Sequence, residues 1–177
     1  MPDAHPPGFP SVRILERTVL YPIRGDSVRE IRSQLEHHGP WPAGEGQGRT
    51  DGAFEVGTEL EPGADGCRLA GLELRVRITT TLPEWQPGPR APVALQAHWE
   101  AALEQLVRHE DGHRLHAIEA AHQLHHQLLR IPPQDSCMRI QRKVDDALRS
   151  MSSALRMRGW HYDQRTGNGL RQPPAAP

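Results

Sequence analysis

The chain predicts an α+β fold: a small antiparallel sheet packed on one long helix, followed by a second, C-terminal helix. Three observations carry that expectation. Segments of the first half alternate apolar and polar side chains, the period of a strand. Residues 95–128 repeat apolar side chains at the period of a helix. Prolines and glycines punctuate the boundaries between these stretches. At 177 residues the chain has the size of one domain with its own core, and helices segregated to one face of a sheet make an α+β domain.

In chain order, residues 1–11 read as a flexible, proline-rich leader, 12–170 as the structured domain and 171–177 as a disordered tail. Ile14, Glu16, Thr18 and Leu20 alternate with Leu15, Arg17 and Val19, which predicts a strand with mixed faces over 12–22. Asp26 or Ser27 can cap a short helix through Ile31 and Leu35 that ends at Gly39-Pro40. The glycine-rich stretch 41–49 reads as a linker. No GxGxxG follows a strand and opens a helix there, so it is not a phosphate cradle. Phe54, Val56, Thr58 and Leu60 predict a second strand, Glu61 to Gly66 a turn, and residues 69–81 a third strand through Leu72, Leu74, Val76 and Ile78, together a hairpin. The run Leu82-Pro83-Glu84-Trp85 with Pro87, Gly88 and Pro89 ends the sheet. Pro92 suits the first turn of a helix over about 91–130, stopped by Pro132-Pro133. Asp135-Ser136 can cap a third helix with Ile140, Val144, Leu148, Met151 and Leu155 on one face, closed by Gly159. An irregular segment follows.

Within the long helix, His109-Glu110-Asp111-Gly112-His113 spells HExxH. Histidines four apart share a helix face and can converge on one zinc, with the glutamate beside the metal to take a proton from bound water. With 11 His among 177 residues the pentapeptide arises by chance in about one such chain in twenty. Helical phase argues against chance. At about 100° per residue from His109, the side chains of Leu95, Trp99, Ala102, Leu103, Leu106, Ala117, Ala120, Ala121, Leu124 and Leu128 fall between roughly 20° and 120°. His109, Glu110 and His113 lie on that stripe or at its edge. A helix built only for packing would carry Leu or Ala there, because an unpaired buried carboxylate costs several kcal/mol. The same phase expects Trp99, Leu103, Leu106, Leu124 and Leu128 to be buried, and places His122, His125 and His126 on the polar, solvent-exposed face.

Catalytic zinc needs a third protein ligand and an open position. His116 lies seven residues beyond His109, about 10 Å along the axis, too far to share the ion. The candidates from other segments are Asp163, then His161, then Asp145. Asp163 also fits an Asx-type turn opening the loop into Thr166 and Gly167.

The net charge of −1 provides no electrostatic footprint for nucleic acid or an acidic membrane. No apolar run is long enough to span a membrane, and no signal-peptide core follows Met1. The chain as it stands therefore reads as cytoplasmic, unless an export signal has been removed. Cys67 and Cys137 exclude a CxxC motif by their spacing and allow either one long-range disulfide or two buried thiols.

From about Thr18 to Gly169 an ordered set of landmarks runs along the chain: Tyr21-Pro22 with Gly25, Gly39-Pro40, Cys67, Leu82-Pro83-Glu84-Trp85, Trp99, the HEDGH motif, Cys137, and Tyr162-Asp163 with Thr166 and Gly169. In these the chain resembles a bacterial family of predicted secreted zinc-dependent proteases, long catalogued as a domain of unknown function. The resemblance implies a zincin-like domain, export to the periplasm or beyond, and a disulfide between the two cysteines. That family usually reads Tyr-Asp-x-x-Thr-x-His-Gly near its end, and Asn168 stands where its histidine would be. If that histidine serves the metal or the transition state, this chain binds zinc weakly or is inactive. If the aspartate is the ligand, Asp163 preserves the site.

The leading expectation is a zinc metallopeptidase-like hydrolase acting on peptide or protein. His109, His113 and Asp163 hold Zn²⁺, Glu110 accepts the proton of the metal-bound water, and Tyr162 is the candidate donor to the oxyanion. The zincin-like architecture that the resemblance implies would let an edge strand hold the substrate extended. Two alternatives stand beside it: a catalytically inactive zincin-like binding or scaffold module, which the Asn168 departure favours, and a metal-dependent amide hydrolase acting on a non-peptide substrate. No residue pattern names the substrate or the oligomeric state.

Overall fold

The structure is a computed structural model that describes residues 12–40, 47–169 and 171. The expected leader, most of the expected linker and all of the expected tail but Arg171 lie outside the described residues. Among those described, the fold is α+β, with three strands and three helices in the order β1 (Arg13–Gly25), α1 (Val28–His38), β2 (Arg49–Gly63), β3 (Gly66–Pro87), α2 (Val93–Leu129) and α3 (Cys137–Thr166). No helix of the described residues is long and apolar enough to cross a membrane.

The strands form one sheet in the order β1-β3-β2, and it is mixed rather than antiparallel. On β3 and β1, Arg17 pairs with Thr79 and Arg24 with Gln86, both 62 residues apart, so the two strands advance in the same direction. On β3 and β2, Thr50 meets Thr80, Glu55 meets Arg77 and Glu61 meets Arg68, the falling register of an antiparallel hairpin. The physical reason is the connection through α1. It leaves β1 and enters β2 at the same end of the sheet, so the strand that returns from the hairpin runs parallel to β1.

Helix α1 begins where expected. The Ser27 hydroxyl accepts from the Glu30 amide at 3.3 Å, the Glu30 carboxylate accepts from the Asp26 amide at 2.7 Å, and Gly39 is the C-cap. Strand β3 is longer than expected and runs through Pro83 to Pro87. Pro83 lacks an N–H, but it lies beyond the reach of β2, which starts at Arg49 opposite the Thr80 region. On the β2 side, therefore, no ladder bond is asked of it. Helix α3 also outruns its expected end at Gly159, so residues 160–166 are helical, not irregular.

The chain packs as two compact units, each assembled from separate stretches of sequence. Among the described residues, one takes in 12–15 with Gly52–Ile78 and Leu115–Gly159. Its core joins Leu72, Leu74, Val76 and Ile78 of β3 to Ala117, Ala121, Leu124 and Leu128 of α2 and Ile140, Val144 and Ala147 of α3. Each large side chain so buried contributes roughly 1.5–3 kcal/mol. Because β3 and α3 both cover this half of α2, its buried arc widens and takes in His125, which is buried rather than solvent-exposed as its phase suggested. His122 and His126 are exposed. Cys67 and Cys137 form a disulfide, with Cα atoms 5.0 Å apart. Paired backbone bonds between Cys67 and Gln134, at 2.7 and 2.9 Å, seat the two segments beside each other.

The other unit comprises the described residues of Glu16–Asp51, Thr79–Arg114 and 160–171. Its core is Tyr21 and Ile23 of β1, Ile31 and Leu35 of α1, Trp85 of β3 and Leu95 of α2. The Trp85 indole donates to Gly25 O at 3.0 Å. Here the α2 stripe is incompletely covered. Trp99, Leu103 and Leu106 are half-buried and Ala102 is exposed, where full burial was expected of Trp99, Leu103 and Leu106. These side chains face an open cleft instead of a packed wall.

Candidate metal centre

All of the centre lies within this second unit. Helix α2 places His109 and His113 one turn apart, and the last turns of α3 bring Asp163 to them. His109 Nε2 lies 3.0 Å and His113 Nε2 2.8 Å from the same Asp163 carboxylate oxygen, and the two imidazole nitrogens are 3.3 Å apart. A tetrahedral ion with ligand bonds near 2.0–2.1 Å needs about 3.3 Å between ligand atoms. The triangle already has nearly that size. Side-chain exposure rises from 5% at His109 to 15% at His113 and 34% at Asp163, so the cluster opens to solvent on the aspartate side.

Hydrogen bonding decides which His109 nitrogen is available. The single Thr166 hydroxyl proton is given to Tyr162 O at 2.8 Å. The Thr166 oxygen can then only accept, from His109 Nδ1–H at 3.4 Å and from the Gly169 amide at 3.4 Å. His109 Nε2 is left with its lone pair turned to the Asp163 carboxylate. Two acceptors at 3.0 Å repel unless a proton or a metal ion lies between them. Burial and the neighbouring His113 push the His109 pKa down against the pull of Asp163, which favours the neutral, ligating imidazole.

Glu110 is buried, and its Oε2 has no hydrogen-bond partner among the described residues. Burial is the main cause that raises its pKa to about 7; a Thr50 hydrogen bond opposes the shift, and the Asp163 carboxylate adds to it. A carboxylate in that position is costly unless a proton or a nearby cation compensates it. The donor set, the triangle and this orphaned oxygen together fit a divalent ion of the zinc type.

Two glycines permit the close packing. A Cβ on Gly112 would fall 2.1 Å from the Tyr162 hydroxyl oxygen and 2.4 Å from Cζ, so the phenol lies directly on the helix backbone. Its ring stacks on His109 and stands edge-on to His113, with both centroids 5.0 Å away. At Gly169, with φ of +90°, a Cβ would come within 3.0 Å of His109 Cβ, and Gln105 Nε2 binds Gly169 O at 2.7 Å. Between them Gly167 (φ +55°) ends α3, and the Asn168 amide donates back to Asp163 O at 3.0 Å, a Schellman-type closure.

Of the residues singled out from the sequence, His109, His113 and Asp163 are brought together as a group able to hold a metal ion. Asp163 is helical rather than part of an Asx turn. Glu110 and Tyr162 adjoin the group. His161 is exposed with its ring against Trp160, and neither it, Asp145 nor His116 belongs to the group. Thr166 as the partner of His109 was missed. The i, i+4 spacing of Tyr162 and Thr166 shows it only once α3 is continued past Gly159.

The family model DUF922, described as a bacterial protein of unknown function, matches residues 18–169. The chain belongs to that family. The match spans all the residues of the DUF922 centre, from Thr50 beside Glu110 through Asp163 and Thr166 to Gly169. No curated protein and no solved structure matches the chain.

Proposed function

We propose that this DUF922 protein is a zinc-dependent, metallopeptidase-like hydrolase of zincin type. The observation that carries the reading is the triangle of His109, His113 and Asp163 ligand atoms beside a buried Glu110 carboxylate oxygen with no partner. His109 Nε2, His113 Nε2 and one Asp163 oxygen would hold the ion. When bound there, a zinc ion would supply the positive charge that lowers the pKa of a water molecule and polarises a substrate carbonyl. Glu110 takes the water proton on Oε2 and gives it to the departing amine. The water oxygen becomes part of the new carboxyl group, the C–N bond breaks, and no other reactant is consumed. Thr166 holds His109 in the ligating tautomer, and Tyr162 packs both imidazoles in place. Tyr162 is also the candidate donor to the oxyanion.

A second reading is a zincin-like scaffold without catalysis, favoured by Asn168 in place of the histidine usual in the resembling family. The triangle argues for the first, since Asp163 completes it without residue 168, whose side chain is exposed. A metal-dependent amide hydrolase acting on a non-peptide substrate uses the same groups and is separated only by substrate. The disulfide supports an oxidising compartment and so the exported location.

The test is an assay of the zinc-loaded protein on casein and a peptide library, beside Glu110→Gln. The hydrolase reading expects cleavage by the parent and a loss of at least a hundredfold in the variant, with zinc retained. Equal rates, or no hydrolysis of any amide by the zinc-loaded parent, would leave the scaffold reading.

A further inference from the structure

On α2 the apolar stripe is covered at Leu95 but open at Trp99, Leu103 and Leu106. Among the described residues these three, with Ile31 and Leu35 of α1 and Pro83 of β3, form the apolar side of a cleft of about 190 Å³, which Arg32 and His98 also line. Drug-sized ligands occupy sites of roughly 300–1,000 Å³, so this one has room for a single side chain. Half-exposed Trp and Leu are unfavourable in water, and here they line a concave surface rather than lying singly on a convex one.

One wall of the cleft adjoins the metal centre at Leu106. Leu106 lies one turn before Glu110 on α2, and a Cβ on Gly48 would sit 3.0 Å from both Leu106 Cδ1 and Glu110 Oε1. Gln47, the residue before, also lines the cleft, and its carbonyl accepts the Tyr21 hydroxyl at 2.6 Å. Cleft wall and proton-transferring carboxylate thus flank the same tethered backbone.

We infer that this cleft is the specificity pocket of the site and takes one large apolar side chain, of leucine, methionine or phenylalanine size, from the residue flanking the bond to be cleaved in a peptide. The inference rests on the hydrolase reading above. Apolar walls discriminate by roughly tenfold or more for each methylene they enclose. Ala102 is exposed and lines the cleft, seven residues before His109 on α2, so a larger side chain there is expected to fill the cleft and leave the ligands in place.

The experiment is a peptide library, varied on both sides of the bond, cleaved by the zinc-loaded full chain and by Ala102→Phe, with zinc content as the control for folding. The parent should prefer Phe, Leu or Met over Ala at one flanking position by tenfold or more in kcat/KM, and the variant should lose most of that ratio. A parent without preference, or a variant that keeps it, overturns the pocket. If the parent cleaves no peptide, the hydrolase reading fails by itself and the pocket is judged by binding. N-acetyl-phenylalaninamide, but not N-acetyl-alaninamide, should then shift the Trp99 indole N–H resonance saturably in the parent and not in Ala102→Phe. No such shift overturns the pocket as well.

Discussion

The phenol ring of Tyr162 lies flat on the imidazole of His109, 5.0 Å between centroids and 8° from parallel. That stack exists because residue 112, facing the same phenol, has no side chain. Gly112→Ala would put a methyl within 2.8 Å of three Tyr162 atoms, and the two histidines hem the ring in. The variant is expected to lose about 1–3 kcal/mol of stability to overpacking and at least tenfold in zinc affinity. Urea unfolding and a competition titration with a zinc chelator measure the two. An unchanged affinity would mean that the ring does not position the ligands.

Tyr162 itself separates packing from chemistry. Tyr162→Phe keeps the stack and should keep zinc affinity within about twofold, while lowering kcat if the hydroxyl serves the oxyanion by roughly 10²–10³. Tyr162→Ala should weaken zinc binding as well. A Phe variant at parental kcat removes the hydroxyl from the chemistry.

Thr166 is expected to act through His109. Thr166→Val deletes the oxygen that accepts from Nδ1–H, and loss of such an outer partner lowers metal affinity by about 10–100-fold. Thr166→Ser should restore it. Equal zinc affinities for Val and Ser would show that the contact does not matter.

Much of this is legible in the sequence. The strand period places β2 and the hydrophobic half of β3, and Ser27 with Glu30 marks the start of α1. The phase of His109, Glu110 and His113 on an apolar stripe points to the centre. Strand direction is not legible: the period of β1 is the same whether its partner runs parallel or antiparallel, and only the path through α1 decides. The end of α3 is hidden because Gly159 costs about 1 kcal/mol in a helix, less than the packing of Tyr162, Asp163 and Thr166 against α2 returns. Trp99, Leu103 and Leu106 look like core in sequence because a cleft wall and a packed wall demand the same apolar side chains.

The raised Glu110 pKa contributes a pH-dependent penalty to the stability of the zinc-free protein. The group titrates near 4.5 when unfolded and about 7 when folded. Below pH 4.5 it is neutral in both states and costs nothing. As pH rises through 4.5 to 7 the unfolded chain ionises first, so this group's contribution to stability falls, and above pH 7 its full penalty of about 3 kcal/mol applies. Glu110→Gln removes that penalty. The variant's stability relative to the parent should therefore grow by about 3 kcal/mol between pH 4 and pH 8 in denaturant unfolding with chelator present. A difference that is flat across this range contradicts the burial of an ionisable Glu110.

Reduction acts on the other unit. Opening Cys67–Cys137, 70 residues apart, releases a loop worth about 4 kcal/mol of unfolded-state entropy. A Cys67→Ser, Cys137→Ser protein should unfold at correspondingly lower denaturant concentration. An unchanged midpoint would mean that the bond contributes no net stability.

Metal content tests the central claim most directly. Purified protein, loaded and then dialysed against metal-free buffer, is predicted to hold one zinc per chain by elemental analysis. His113→Ala and Asp163→Ala should each lose it, while Glu110→Gln retains it, because Glu110 is outside the group of possible ligands and the proposed function makes it a proton carrier. A parent protein that retains no zinc, or a His113→Ala variant that retains as much as the parent, would contradict the account.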